Sequence, residues 1–117
     1  MRSHSLLATI DSLDEMEFHN LAAFNDGAVG VFWCGAGTSP WERHPNDDEL
    51  LQVIEGEVVI TVLTETDSIE TTFRAGSAFV VPKGCWHRQH IPERLKELYV
   101  TPGTSDHSNA EDPRIQS

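Results

Sequence analysis

From Trp41 onward the apolar residues fall in runs of about four to eight, or alternate strictly, and Gly, Pro, Asn or Asp breaks each run. That is the punctuation of strands. A strand's side chains repeat on one face every second residue, and turn residues supply the dihedral angles that reverse the chain. The segments 50–55, 57–64, 68–74, 77–81, 86–90 and 97–101 are therefore expected strands. No stretch after residue 20 keeps a 3.6-residue period long enough for a major helix. Upstream, Asn25-Asp26-Gly27 separates residues 21–24 from 28–34 and reads as a hairpin turn. Within 58–63 both alternating faces are apolar, as in a barrel wall packed inside and against a partner outside. Short strands at regular spacing predict an all-β sandwich or barrel.

A chain of 117 residues is about one domain's worth. Its parts are a lead segment over 1–20, a barrel over 21–102 and a polar tail over 103–117. In the lead, Ser12-Leu13-Asp14-Glu15 matches a capping box and predicts a short helical turn near 13–17. The tail is rich in Ser, Asp and Asn with almost no apolar residues, so it is expected to be loosely held or draped over the surface.

Charge narrows the partners. Eight Lys and Arg against 19 Asp and Glu give a formal net charge of −11, which repels a phosphate backbone or an anionic membrane surface. No nucleic-acid or membrane partner is expected, and a small molecule becomes the natural ligand. No apolar run approaches the length of a membrane span, and residues 6–10 are too short for a signal-peptide core, so a cytoplasmic location is expected. The two cysteines, Cys34 and Cys85, form no C-x-x-C pair and read as reduced or buried thiols.

The chemistry concentrates at two places. Glu42 and His44 share one face of a short strand, while Trp41 and Arg43 take the other. Residues 45–48 then read as a turn, so Glu49 opens the returning strand within reach of His44. Far along the chain, His87 follows the tight turn Pro82-Lys83-Gly84-Cys85-Trp86 into another strand. Two imidazoles and two carboxylates on neighbouring strands make a candidate metal site.

These residues carry a family resemblance. Glu42-x-His44, then Glu49 and Gly56, resembles the first motif of the cupins; Gly76, Pro82-x-Gly84 and His87 resemble the second, with matching spacing. Three departures stand out: Glu42 occupies the family's first histidine position, Gly37 is one residue out of step, and Ile91 replaces a closing asparagine. The resemblance covers residues 35 to 102 and implies a double-stranded β-helix, or jelly-roll, barrel with ligands pointing into its mouth. It also implies a homodimer, which would cover the apolar outer faces.

Carried over position by position, His44, Glu49 and His87 resemble three of the family's metal ligands, and Glu42 takes the fourth place. Two carboxylates bring a divalent ion near zero net charge, so the ion would be a weaker Lewis acid, shifted toward harder ions. Mn, Fe, Zn and Ni all remain candidates. Gln89 shares the face of His87 and is a candidate pocket-lining polar group; Leu51, Val53, Phe79 and Val81 share the inward parity and are expected as its apolar wall. Trp41 and Trp86 fall out of phase with the ligands and are expected on the outer face or at a dimer contact. His4, His19, His90 and His107 are expected at the surface. The implied function is a metal-dependent enzyme acting on a small molecule, with oxygenase-type chemistry favoured; the alternatives are a non-catalytic metal or ligand binder and a vestigial scaffold.

Overall fold

The structure is a computed structural model, and residues 3–115 are described. Among the described residues one helix, α1 (Leu6–Asp11), precedes eight strands: β1 (His19–Phe24), β2 (Gly27–Thr38), β3 (Trp41–Arg43), β4 (Glu49–Leu63), β5 (Ser68–Arg74), β6 (Ala78–Val81), β7 (His87–Thr101) and β8 (Asp106–Ser108). All pairings are antiparallel. Neighbours run β1-β2-β7-β3-β8, and β4 pairs with β5, β6 and β7. The expected hairpin closes at Phe24 and Gly27, with Asn25 at a φ of 51°. Asparagine tolerates that left-handed conformation better than most residues.

Strands expected as separate pieces join into long ones. Segments 50–55 and 57–64 are both parts of β4, and 86–90 and 97–101 are largely parts of β7. These two strands pair from Leu50 with Val100 at one end to Val62 with His87 at the other. Flat, that ladder would extend about 40 Å at about 3.3 Å per residue. Yet Glu49 Oε1 and His87 Nε2, from opposite ends, lie 3.3 Å apart. The ribbon therefore curls back on itself, and that curl is the barrel. Register shifts between Val53 and Glu55 and between Gly56 and Val59 mark where it bends.

Gly56 sits at that bend with a φ of 91°, and a Cβ there would lie 2.0 Å from the Arg94 carbonyl oxygen. A side chain is excluded both by the dihedral angle and by the facing backbone. Gly56→Ala is expected to destabilise the fold by at least about 3 kcal/mol, measured as a lower urea midpoint.

Alternation decides the inside. Along the start of β4, Glu49, Leu51 and Val53 are buried while Leu50 and Gln52 are exposed. Leu51, Val53 and Val81 join Phe32, Cys34 and Leu95 in the core, and Phe79 packs against it. Trp41, expected on the outer face, is buried at 4 % exposure, while Trp33 and Trp86 are half-buried, and an arginine lies over each ring: Arg88 4.4 Å from the Trp41 centre, Arg43 4.5 Å from Trp86 and Arg94 4.8 Å from Trp33. Each such contact contributes about 0.5–1 kcal/mol.

Two other expectations need correction. The helix lies before Ser12, not after it. Ser12 ends α1, its Oγ donating to the Thr9 carbonyl at 2.7 Å, and a turn follows in which the Asp14 N–H donates to Glu17 Oε1 at 3.0 Å and the Glu17 N–H to the Asp14 carbonyl at 3.1 Å. Ile10, wholly buried, anchors the helix one turn earlier, and tertiary burial outweighs a local cap. Nor is the tail loosely draped. Its β8 pairs with β3, and the Arg114 guanidinium donates to the carbonyls of Thr64 and Asp67 at 2.8 and 3.0 Å. Backbone pairing and charge-assisted hydrogen bonds hold it without apolar residues. Among the described residues, no helix is long and apolar enough to cross a membrane.

Candidate metal centre

The four chemistry-bearing residues named from the sequence converge on one point. Glu42 on β3 is the cross-strand partner of His87 at the start of β7, His44 follows β3, and Glu49 opens β4. The two turns that carry them are pinned together: the Gly84 N–H donates to the His44 carbonyl at 2.8 Å, and the Lys83 N–H to Asp48 Oδ1 at 2.8 Å. Asp48, a solvated turn residue by its sequence, is thus a strut of the site.

One donor atom from each of the four lies within 4.8 Å of the others. His44 Nε2 is 3.0 Å from Glu42 Oε1 and 3.2 Å from Glu49 Oε2; His87 Nε2 is 3.3 Å from Glu49 Oε1 and 3.6 Å from Glu42 Oε1. Ligands about 2.1 Å from a shared ion stand about 3.0–3.4 Å apart when adjacent, so these spacings suit one. His44 and His87 are each only 2 % exposed.

Both imidazoles are turned the same way. The His44 Nδ1 faces the Thr104 carbonyl at 3.3 Å and the Ser105 hydroxyl at 3.0 Å, and the His87 Nδ1 faces the Cys85 carbonyl at 3.3 Å. A carbonyl can only accept, so each Nδ1 is assigned the hydrogen and each neutral ring presents its Nε2 lone pair to the carboxylates. Such a cluster of acceptors demands positive charge. Burial alone would lower the His44 pKa, but Glu42 and Glu49 overturn that and hold it at about 10; the same balance holds His87 at about 9. Conversely, burial would raise both glutamates, yet the imidazoles keep Glu42 and Glu49 below the ordinary carboxylate range. A divalent ion answers the same demand by replacing the protons. His44 Nε2 is buried with neither nearby oxygen placed for a hydrogen bond, which fits an atom set for coordination.

Sequence reasoning missed the supporting residues: Asp48 in the turn before β4, and the rest in the tail. His107 is exposed as expected, but its Nε2 lies 2.8 Å from Glu42 Oε2, leaving Oε1 for the cluster. Asp106 receives two hydrogen bonds from the Arg43 guanidinium at 2.9 and 3.1 Å. Nothing in the local pattern distinguishes these residues from solvated tail; only the β3–β8 pairing places them. His107→Ala is expected to weaken divalent-metal binding about tenfold, with partial recovery in His107→Gln, read by competition with a metal indicator.

Beside the cluster lies a cavity of about 500 Å³, bordered by Glu42, His87, Gln89, Phe32, Cys34 and Ile91. The lead segment closes one side through Met16 and Phe18, fastened by the Trp33 indole donating to the Leu13 carbonyl at 2.8 Å. A smaller space of about 300 Å³ adjoins Glu49, Leu51, Gln89 and Glu97. Gln89 and Leu51 therefore border cavities, whereas Val53 and Val81 belong to the core and Phe79 stacks on Phe73. Cys34 stays a protonated thiol, pushed up to about 11 by burial and by Glu97.

A curled antiparallel barrel that gathers two imidazoles and two carboxylates beside an apolar cavity defines a small β-barrel protein with a candidate metal centre. The cupin domain family model matches residues 29–106, and the chain belongs to that family. It is 36 % identical over 100 residues to an uncharacterized protein of Streptomyces coelicolor, covering 75 % of this chain and 90 % of that protein. It is 29 % identical over 86 residues to oxalate oxidase 1 of Hordeum vulgare, covering 70 % of this chain but only 43 % of that protein. The crystal structure of a protein with a double-stranded β-helix domain from Klebsiella pneumoniae aligns with a TM-score of 0.70 at 20 % identity, over 94 % of this chain and 99 % of that one. That likeness shows the fold: a double-stranded β-helix.

Proposed function

We propose that this cupin holds a divalent metal ion through His44, Glu49, His87 and Glu42 and acts on a small molecule in the adjoining cavity, with oxygenase-type chemistry. The observation that carries the reading is the convergence of two imidazole Nε2 atoms, each anchored behind by its Nδ1, on two carboxylates at the edge of that cavity. Such an ion supplies Lewis-acid polarisation of a ligand oxygen or, when redox-active, electron transfer. The chain's own residues do the rest. His44 and His87 present lone pairs, Glu42 and Glu49 offset the charge, and Phe18 and Phe32 keep the neighbouring space apolar. The likeness to the Hordeum vulgare oxalate oxidase supports oxidative chemistry over other uses of the ion. Leu50 and Val80, cross-strand neighbours that are 38 % and 57 % exposed, support a homodimer.

The test is aerobic turnover by protein loaded in turn with Fe, Mn and Ni, against flavonols, diketones and small thiols. A product that appears with metal and disappears on chelation is expected. No product with any metal refutes the enzymatic reading.

A further inference from the structure

Glu97 has no part in the metal cluster, and its burial has no structural explanation. It stands on the inward face of β7 between Leu95 and Tyr99, beside Phe32 of β2 and Val53 of β4, and is 0 % exposed. The Gln89 Nε2 donates to its Oε1 at 3.2 Å, but Glu97 Oε2 and Gln89 Oε1 are both buried with no partner. Burial, reinforced by the charge of Glu49, lifts the Glu97 carboxyl to about 8, so at pH 7 it is a neutral acid. With Oε1 engaged by the amide, the proton belongs on Oε2. Leaving such atoms unpaired is costly, and an apolar side chain of similar size would carry no such cost.

The surroundings say what could pair with them. Gln89 borders both cavities and Glu97 the smaller one, so the amide stands between the acid and the larger space. Phe18 and Phe32 border both cavities, with ring centres 4.4 Å apart, and Tyr99 borders the smaller. Neither lining contains Lys or Arg, while Glu42 faces both spaces and Glu49 one.

We propose that Gln89 and Glu97 are the ligand-recognising pair of this cavity, and that the ligand is a neutral, planar, hydroxyl-bearing molecule such as a phenol or an enol, not a dicarboxylate. This rests on the small-molecule reading above and names its substrate class. One hydroxyl satisfies both free atoms: its hydrogen goes to Gln89 Oε1, and its oxygen receives the hydrogen of Glu97 Oε2. The aromatic rings accept a planar ligand by stacking or by edge contact. A dicarboxylate would meet Glu42 and Glu49 with no lysine or arginine to offset its charge.

Calorimetric titration of the manganese-loaded protein with phenol, anisole and oxalate tests this. Phenol donates and accepts a hydrogen bond, whereas anisole only accepts. Phenol is expected to bind about tenfold tighter than anisole, and oxalate weaker than phenol. Gln89→Leu, which removes the acceptor for the phenol hydrogen, should bring the phenol-to-anisole ratio to about one while metal content holds; Glu97→Leu should weaken phenol and anisole alike, and Glu97→Gln, whose amide N–H replaces the acid O–H, should restore both. The proposal is overturned by phenol binding no tighter than anisole, by an unchanged ratio in Gln89→Leu, by unchanged affinity for both ligands in Glu97→Leu, or by oxalate binding tighter than phenol. The ratio is also measured on metal-free protein, so a chain that takes up no metal refutes the metal reading separately.

Discussion

His87→Ala will lower divalent-metal affinity by more than about 100-fold, beyond the 10–100-fold that removing a supporting group costs. The imidazole contributes one of two neutral nitrogen donors, and at 2 % exposure no solvent-facing residue stands ready to replace it. Its loss leaves two carboxylates, 3.0 and 3.2 Å from the remaining His44 Nε2, with half the positive charge that held them down. Elemental analysis of protein purified from metal-supplemented medium, followed by chelator competition, measures the effect. Metal content equal to that of the unaltered chain would sink the ligand set. Glu42→Ala should lose less, because its side chain is 32 % exposed and water can take its place. Unchanged occupancy in that variant alone would demote Glu42 without touching the other three.

The second large effect concerns stability and pH. Glu97 has a folded-state pKa near 8 and an unfolded-state value of about 4.3, so the folded chain keeps a proton that the unfolded chain has released. Its contribution is fully present below the unfolded value and is lost as pH rises through 8, at up to about 1.4 kcal/mol per pH unit. The groups facing it are Glu49, Glu42 and His87 from the cluster and Cys34 from β2. Comparison with Glu97→Gln, which keeps these neighbours and removes only the ionisation, isolates the effect. Urea unfolding between pH 5 and 8 should show the stability of Glu97→Gln rising relative to the unaltered chain. Glu97→Leu should be more stable than the unaltered chain at pH 8 by about 1–4 kcal/mol, since apolar replacement of a buried polar group is neutral to favourable. Parallel curves for Glu97→Gln and the unaltered chain would show that residue 97 does not hold a neutral acid.

Both effects fall on inward-facing residues, and they differ in how legible those residues were. His44, Glu49 and His87 could be read because each sits at a fixed distance from a turn glycine or proline, and turns are set by local dihedral preferences. Glu42 followed from strand parity with His44. Glu97 could not be read in this way, although it shares a strand face with Leu95 and Tyr99. Parity from His87 does reach Glu97 along β7, but residues 86–90 and 97–101 read as separate strands, with no parity to carry from one to the other. The turn at 13–17 was misplaced for a related reason, because a capping motif reports local hydrogen bonds and not the burial of Ile10.

The sequence by itself determined the strand segments, the all-β class and the two turns that carry the cluster, since period-two alternation and turn chemistry act over a few residues. Tertiary structure alone decided that the polar tail supports the site. His107, Ser105 and Thr104 reach Glu42 and His44 only because β8 pairs with β3 across more than sixty residues of chain. It also decided that Glu97 lies buried against Gln89 instead of facing water. Contacts of that kind depend on how a bent ribbon closes on itself, and closure depends on the register of the whole sheet, which no local pattern of residues encodes.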